Sequence, residues 1–438
     1  MASLALVAAC APGASNTTDE TSSSSTVVTD ASKLGEVTLT VWDQEVRGGQ
    51  NDEMVALNEA FHEKYPNITI KRNSQSFDDL GKTLRLALSG PDAPDVVESN
   101  NARNQMGDFV KANQIISLEP YAEAYGWKDR FPASVLDLAS YSADAKTFGS
   151  GNLYGLPQMG EIVGVYYNKQ KLADLGLEVP TTWSEFTSQL KTIKDSGETP
   201  LMLGDLEKWP AIHVFGPIQA AHTPAAEIME LGLGNPGGDW TDATNTAAAT
   251  EFAEWVTAGY FNSDINGSKY DDVVAKFGAG TGVFLLAGSW NTVTLDPLMG
   301  DNLGFFAPPP AVAGDASSTT GGTSLPFTIT TASKHPDAGA AYIDFLTSDD
   351  AMKIIADTGN LPVLHSAELA PTSGAGKDVY AAYEAVSTGG HLLPYLDYGT
   401  PTFSDTLGAA LQDLIAGKQS PEQFTQTLQA DYGAFITE

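Results

Sequence analysis

From Val37 the chain alternates. Val37, Leu39 and Val41 are apolar while Thr38 and Thr40 are polar, a period of two that predicts a strand with one buried face. After Gly48 and Gly49 the spacing lengthens, and Met54, Leu57 and Phe61 share one face of a helix that stops at Tyr65-Pro66-Asn67. Ile68-Thr69-Ile70 reads as a second strand, 78–89 as a helix, and Asp95-Val96-Val97-Glu98 as a third strand beyond Pro91 and Pro94. The alternation returns at Ile162–Tyr167. A capping box comes next, Thr182 with Glu185, opening a helix that carries Trp183, Phe186, Leu190 and Ile193 on one side and ends at Gly197. Leu201-Met202-Leu203 and Val283–Leu286 add strands; 337–346, 403–415 and 421–435 add helices. Strands alternating with amphipathic helices predict an α/β fold with parallel sheets covered on both faces. No repeat is visible. The pattern divides into two α/β units, with 157–163 and 303–311 as candidate crossings, the second stiffened by Pro308-Pro309-Pro310.

Composition narrows the classes. A chain of 438 residues has room for two or three domains. With 23 Lys+Arg against 55 Asp+Glu, the net charge of −32 repels nucleic acid and anionic lipid, so neither is expected as a partner. The six His are scattered without metal-ligand spacing, and no apolar run reaches the length of about 18 residues that a spanning helix needs. No metal and no cofactor is expected. The single cysteine, Cys10, excludes a disulfide framework.

Cys10 comes directly after Leu-Ala-Leu-Val-Ala-Ala, and Val7-Ala8-Ala9-Cys10 resembles a bacterial lipobox. A basic n-region and a full apolar stretch are missing, so 1–10 is read as part of a lipoprotein signal with Cys10 as the lipidated residue. The alternative is an apolar scrap with a chance cysteine. The next stretch is Ser/Thr/Ala-rich, contains Ser22–Ser25 and cannot bury a core, so 11–35 is assigned as a flexible tether.

An ordered series of short motifs runs along the body: Leu39-Thr40-Val41-Trp42, Phe61 with Tyr65-Pro66-Asn67-Ile68, Ala93-Pro94-Asp95-Val96-Val97, and Tyr154-Gly155-Leu156-Pro157. It continues through Val165–Lys169, Val179-Pro180-Thr181-Thr182-Trp183, Ala287-Gly288-Ser289-Trp290, Phe345-Leu346-Thr347-Ser348 and Thr358–Pro362. Each motif is weak alone; the order and spacing are specific, and in them the body resembles the extracellular solute-binding proteins of carbohydrate ABC importers. The resemblance implies a two-lobe, periplasmic-binding-protein-like clamp with a hinge, closing on an oligosaccharide and presenting it to a membrane permease. The N-lobe would hold 36–158 and 304–350, and the C-lobe 159–303 and 351–438. A monomer, anchored to the outer face of a bacterial membrane, is expected.

Open α/β sheets bind ligands beyond the carboxyl ends of their strands. Three predicted strands lead into Trp42-Asp43-Gln44-Glu45, Asn100-Asn101 and Gly288-Ser289-Trp290. Flat rings suit the apolar face of a pyranose, and amides and carboxylates suit its hydroxyls. Trp290 leads, because the matching Trp of the family stacks on sugar; the competing account is an ordinary core Trp. Trp42 is balanced between a buried strand end and a stacking ring. Asp43, Gln44 and Glu45 are balanced between ligand contact and helix capping. Glu161 sits at the first crossing as ligand contact or solvated hinge, and Trp209 is a further platform, with His213 beside it read as structural. Gly321, Gly322 and Thr323 offer close backbone approach or a simple turn. Tyr395, Asp397 and Tyr398 occupy a late loop, with Tyr398 preferred as a cleft wall. Gln75 and Ser76 read as an ordinary polar loop.

Catalysis is not expected. A glycoside hydrolase needs two carboxylates set across one bond, and no nucleophile elbow, P-loop, GxGxxG or metal cluster is present. The other rivals are a clamp for a cation such as a polyamine, which the acids would suit, and a structural adhesin.

Overall fold

The structure is a computed structural model and describes residues 27–437. The expected signal segment, Cys10 and most of the tether lie outside the described residues. Two sheets organise the chain. The first has the order Phe327–Ile329, Val96–Glu98, Val37–Asp43, Ile68–Ser74. Val37–Asp43 runs parallel to both of its neighbours, while Phe327–Ile329 joins antiparallel. Leu39 and Val41 are fully buried against Met54, Leu57 and Phe61 of the helix Gly48–Lys64, so both sequence periods point into one core.

The second sheet is built around Gly160–Asn168, whose nine residues are buried along nearly their whole length. Phe284–Gly288, Leu303–Phe306 and Ser318–Thr323 all pair with it antiparallel. Leu201–Met202 and His391–Leu393 extend the sheet as parallel partners of Phe284–Gly288 and Ser318–Thr323. The parallel sheet expected from the pattern is therefore mixed here: periodicity reports which faces are buried, not strand direction. The helix Trp183–Asp195 opens with the predicted capping box and buries Trp183, Phe186, Leu190 and Ile193. The two sheets, each with its own core, make the two-lobe α/β clamp, and among the described residues no helix is long and apolar enough to cross a membrane.

Three expected boundaries shift. The tether ends before Glu36: Ala31 is fully buried in the first core, Val27 and Leu34 pack against it, and Asn67 donates to the Ala31 and Gly35 carbonyls. Residues from 304 do not return to the first lobe. Leu303–Phe306 and Ser318–Thr323 both belong to the second sheet, and Pro310 accepts a hydrogen bond from the Trp183 backbone. The proline run is largely buried and leads into an exposed loop at 311–316; the return comes at Ser324–Phe327, where Leu156 bridges Phe327. Nor does the second lobe resume at 351. The helix Asp349–Asp357 buries Ala351, Met352 and Ile355 in the first core, and the chain leaves past Pro362, which bridges Met159. Apolar periodicity says that a helix has a core face but not which of two cores receives it.

Candidate ligand-binding cleft

The ends of both sheets meet at a cavity lined from both lobes. The first lobe contributes Gln44, Arg47, Gln50, Phe77 and Asn100; the second contributes Trp209, Ile212, His213, Trp290, Tyr395, Asp397 and Tyr398. Glu161 and Leu325 stand where the chain passes between them. Strand direction explains one pairing. Gly160–Asn168 runs against Phe284–Gly288, with Val163 opposite Gly288, so the start of one strand and the end of the other bring Glu161 and Trp290 to the same edge.

Trp290 lies in a short 3-10 turn directly after Gly288. A Cβ on Gly288 would lie 2.0 Å from the indole, so only glycine leaves the ring this position. The imidazole of His213 sits 5.2 Å from the Trp290 ring and 5.4 Å from that of Trp209. Trp209 in turn packs on Tyr270 at 4.6 Å and faces Phe77 of the other lobe at 6.0 Å. Polar groups are set between these rings. Gln44 donates its backbone N–H to a carboxylate oxygen of Glu98 at 2.8 Å and its Nε2 to Glu45 at 2.7 Å, which fixes its side chain. Tyr395 donates to Glu161 Oε2 at 3.1 Å.

Flat rings and oriented polar groups thus line one crevice between the two lobes. A profile of the bacterial extracellular solute-binding protein family matches residues 47–353, well over half of the chain. This chain belongs to that family. It is 25% identical over 314 residues to a multiple sugar-binding protein of Streptococcus mutans, covering 69% of this chain and 70% of that one. It is 23% identical over 406 residues to an ABC transporter extracellular-binding protein of Pyrococcus horikoshii, covering 87% and 85%. A solved chitin oligosaccharide binding protein superposes with a TM-score of 0.77 at 22% identity, over 92% of this chain and all of the other, a likeness of fold.

Within this solute-binding protein, six of the residues expected at the site line the cavity: Gln44, Asn100, Glu161, Trp209, Trp290 and Tyr398. The others stand behind it. Trp42 packs against the apolar cluster around Val97 and Phe109. Asp43 is fully buried and receives two bonds from Arg72, at 2.7 and 2.8 Å, which makes it a structural ion pair. Glu45 is fully buried and holds Gln44. Asn101 donates to the Leu138 carbonyl and is approached by the Tyr398 hydroxyl at 3.5 Å. Gly322 and Thr323 form no ligand-cradling turn; they are strand residues paired with Glu161 and Gly160, and a Cβ on neighbouring Gly321 would meet the Glu161 carbonyl at 2.5 Å. Their place is sheet packing. Ser76 caps the helix Phe77–Ala87, which carries Phe77 to the cavity wall.

The pattern missed Arg47, Gln50, Phe77, Ile212 and Leu325, and read His213 as structural. Arg47 and Gln50 lie at the start of a helix whose next turns are core, and the polar face of a helix start looks like any solvated surface in sequence. His213 is buried, its Nδ1 has no hydrogen-bond partner among the described residues, and burial pushes it down to about 3, so it is neutral.

Burial shifts both acids of the cleft upward. Burial, helped by the nearby Glu45 charge, pushes Glu161 up to about 8 despite the Tyr395 bond. Burial likewise raises Asp397 to about 6. Behind Gln44, burial drives Glu45 to about 7 and Glu98 well above the usual carboxylate range, and the two share a hydrogen bond. Ordinary burial of four acids with one arginine nearby has this outcome: the charged form is the costly one.

Proposed function

We propose that this protein captures a carbohydrate in the oligosaccharide range between its lobes and delivers it to the permease of an ABC importer, without covalent chemistry. One observation carries the reading: the indoles of Trp209 and Trp290 in the second lobe line one cavity with the amides of Gln44 and Asn100 in the first, and with the carboxyl of Glu161 where the chain crosses between them. Rings stack on the C–H face of a pyranose while the amides both give and take hydrogen bonds with its hydroxyls. The sugar-binding relatives support this choice of cargo. A polyamine would need ionised acids, and burial works against that by raising Glu161 to about 8 and Asp397 to about 6. Contacts with both lobes make ligand favour the closed arrangement, and that differential affinity is the signal a permease reads. Lipidation at Cys10 and action as a monomer complete the proposal.

Calorimetry against di- to tetrasaccharides of several linkages tests it. The expected result is stoichiometric binding near micromolar affinity, about −8 kcal/mol, with the sugar recovered intact. Silence across the panel together with binding of spermidine, or many product molecules per protein, would replace the reading.

A further inference from the structure

Arg103 lies just beyond the strand Val96–Glu98 in the first lobe and is 2% exposed. Among the described residues its guanidinium meets no carboxylate; every acceptor is a carbonyl or amide oxygen. On its own lobe it donates from Nη1 to the carbonyls of Ala145 and Lys146, at 3.1 and 3.2 Å. Across to the second lobe it donates from Nε and Nη2 to Leu233 O, at 3.0 and 2.8 Å, and from Nη2 to Asn235 Oδ1 at 3.3 Å. Leu233 is the last residue of the helix Ala225–Leu233, whose Ile228 and Leu231 are buried in the second core. A cation at the carboxyl end of a helix meets both unpaired carbonyls and the negative end of the dipole. Gly234 must be left-handed here, with φ of 64°, and a Cβ on it would collide with the Gly399 carbonyl and stand 3.0 Å from Arg103 Nε. The Gly234 and Asn235 N–H groups close back on Leu231 and Glu230, and the Leu233 carbonyl is taken by an arginine of the other lobe.

We propose that Arg103 is an interlobe latch, a positioning residue that caps the helix Ala225–Leu233 from the opposite lobe and biases the ligand-free clamp toward closure. The inference rests on the reading of the neighbouring cavity as the ligand site. Tyr398 connects the two: it lines the cavity, its hydroxyl approaches Asn101, and its ring lies 6.0 Å from Phe148, whose backbone carbonyl accepts from Asn235. The balance of forces makes the latch reversible. A buried cation bound by neutral dipoles and lying over the Phe435 ring at 4.7 Å gains several charge-assisted bonds but regains full hydration when the lobes part. A carboxylate partner would lock it; solvent alone would leave it idle. The ion pair of Arg47 with Asp271 also joins the lobes, at 3.2 Å, but the aspartate side chain is 72% exposed and the pair contributes little by comparison.

Small-angle X-ray scattering of the ligand-free chain tests this without any sugar, comparing wild type with Arg103→Met, Arg103→Lys and Asn235→Ala. The expected result is a larger radius of gyration and a broader distance distribution for Arg103→Met and Asn235→Ala, with Arg103→Lys between them and wild type. Far-ultraviolet circular dichroism should be unchanged. A purely structural arginine would lower the melting temperature while leaving the scattering curve of the folded protein as it was, and that outcome overturns the latch. Should Arg103→Met fail to fold, Asn235→Ala still decides, because it removes two interlobe bonds and leaves no buried charge unmatched. Since no ligand enters the measurement, an unchanged curve with intact sugar binding removes the latch alone, and a shifted curve with no sugar binding removes the cargo alone.

Discussion

The hydroxyl of Tyr395 donates to Oε2 of Glu161 at 3.1 Å, joining the late loop of the second lobe to the strand on which the chain enters it. This bond lowers the Glu161 value, and burial overcomes it, leaving the group at about 8. Ligand entry dries the cleft further and favours the neutral acid, so binding takes up a proton. Sugar affinity should therefore fall as pH rises through about 8, by at most about tenfold per pH unit. Glu161→Gln should flatten that profile, and Tyr395→Phe should move its inflection upward. Calorimetry from pH 6 to pH 9 checks this; a level wild-type profile would remove Glu161 from the ligand's surroundings.

Trp290 and Gly288 form a second testable pair. Trp290→Ala should weaken sugar binding by tenfold or more, about 1.4 kcal/mol, with the fold intact. Gly288→Ala should imitate it without touching the ring, because its methyl would sit 2.0 Å from the indole and push it out of place. Equal affinities in wild type and both variants would show that the indole is only a wall of the second core.

Stability should fall from acid to alkaline pH. Glu45 and Asp205 rise to about 7, Asp397 to about 6 and Glu161 to about 8, from ordinary values of 4.5 for Glu and 3.8 for Asp. Burial is the first cause in each. The folded chain then binds protons that the unfolded chain releases, so this stabilisation is complete below about pH 4, declines as pH rises through the unfolded values, and is exhausted by about pH 8. The net charge of −32 acts in the same direction. The melting temperature should be higher at pH 5.5 than at pH 8.5, by roughly 2 °C or more. Calorimetric scans that show the reverse order would mean these acids are ionised in the folded protein.

Asp43 and Arg72 supply stability rather than ligand contact. Their carboxylate and guanidinium are 0% and 14% exposed and meet at 2.7 Å. Burial nonetheless raises the Asp43 value, which says that Arg72 only partly compensates its desolvation. Removing Arg72 leaves an uncompensated buried carboxylate, so Arg72→Ala should destabilise by about 3 kcal/mol. Denaturant titration measures this. Loss of less than about 1 kcal/mol would place the pair in solvent-like surroundings.

Local elements are legible in the sequence because local physics makes them. The period of two at Val37–Val41, the helical spacing of Met54, Leu57 and Phe61, and the Thr182–Glu185 box all appear in the structure as expected. Gln44, Asn100 and Trp290 are reached because open sheets bind ligand where their strands end, a rule that depends only on strand direction within one sheet. The same rule also gathers Asp43 and Asn101, because alternate residues leaving a strand point to opposite sides. It stops short of Phe77, the first helical residue beyond the strand Ile68–Ser74, and of His213, which arrives on the helix Ile212–His222.

By itself the sequence determined the α/β alternation, the apolar faces, the family likeness and the polar and aromatic residues available at strand ends, since each depends on neighbours within a few turns of chain. Tertiary structure alone decided which core received Leu303–Phe306 and Asp349–Asp357, which acids were buried with a cation and which without, and that Arg103 meets a helix end 130 residues away. Periodicity records that a surface is covered; it carries no information about what covers it, because apolar burial is non-directional and any complementary face satisfies it.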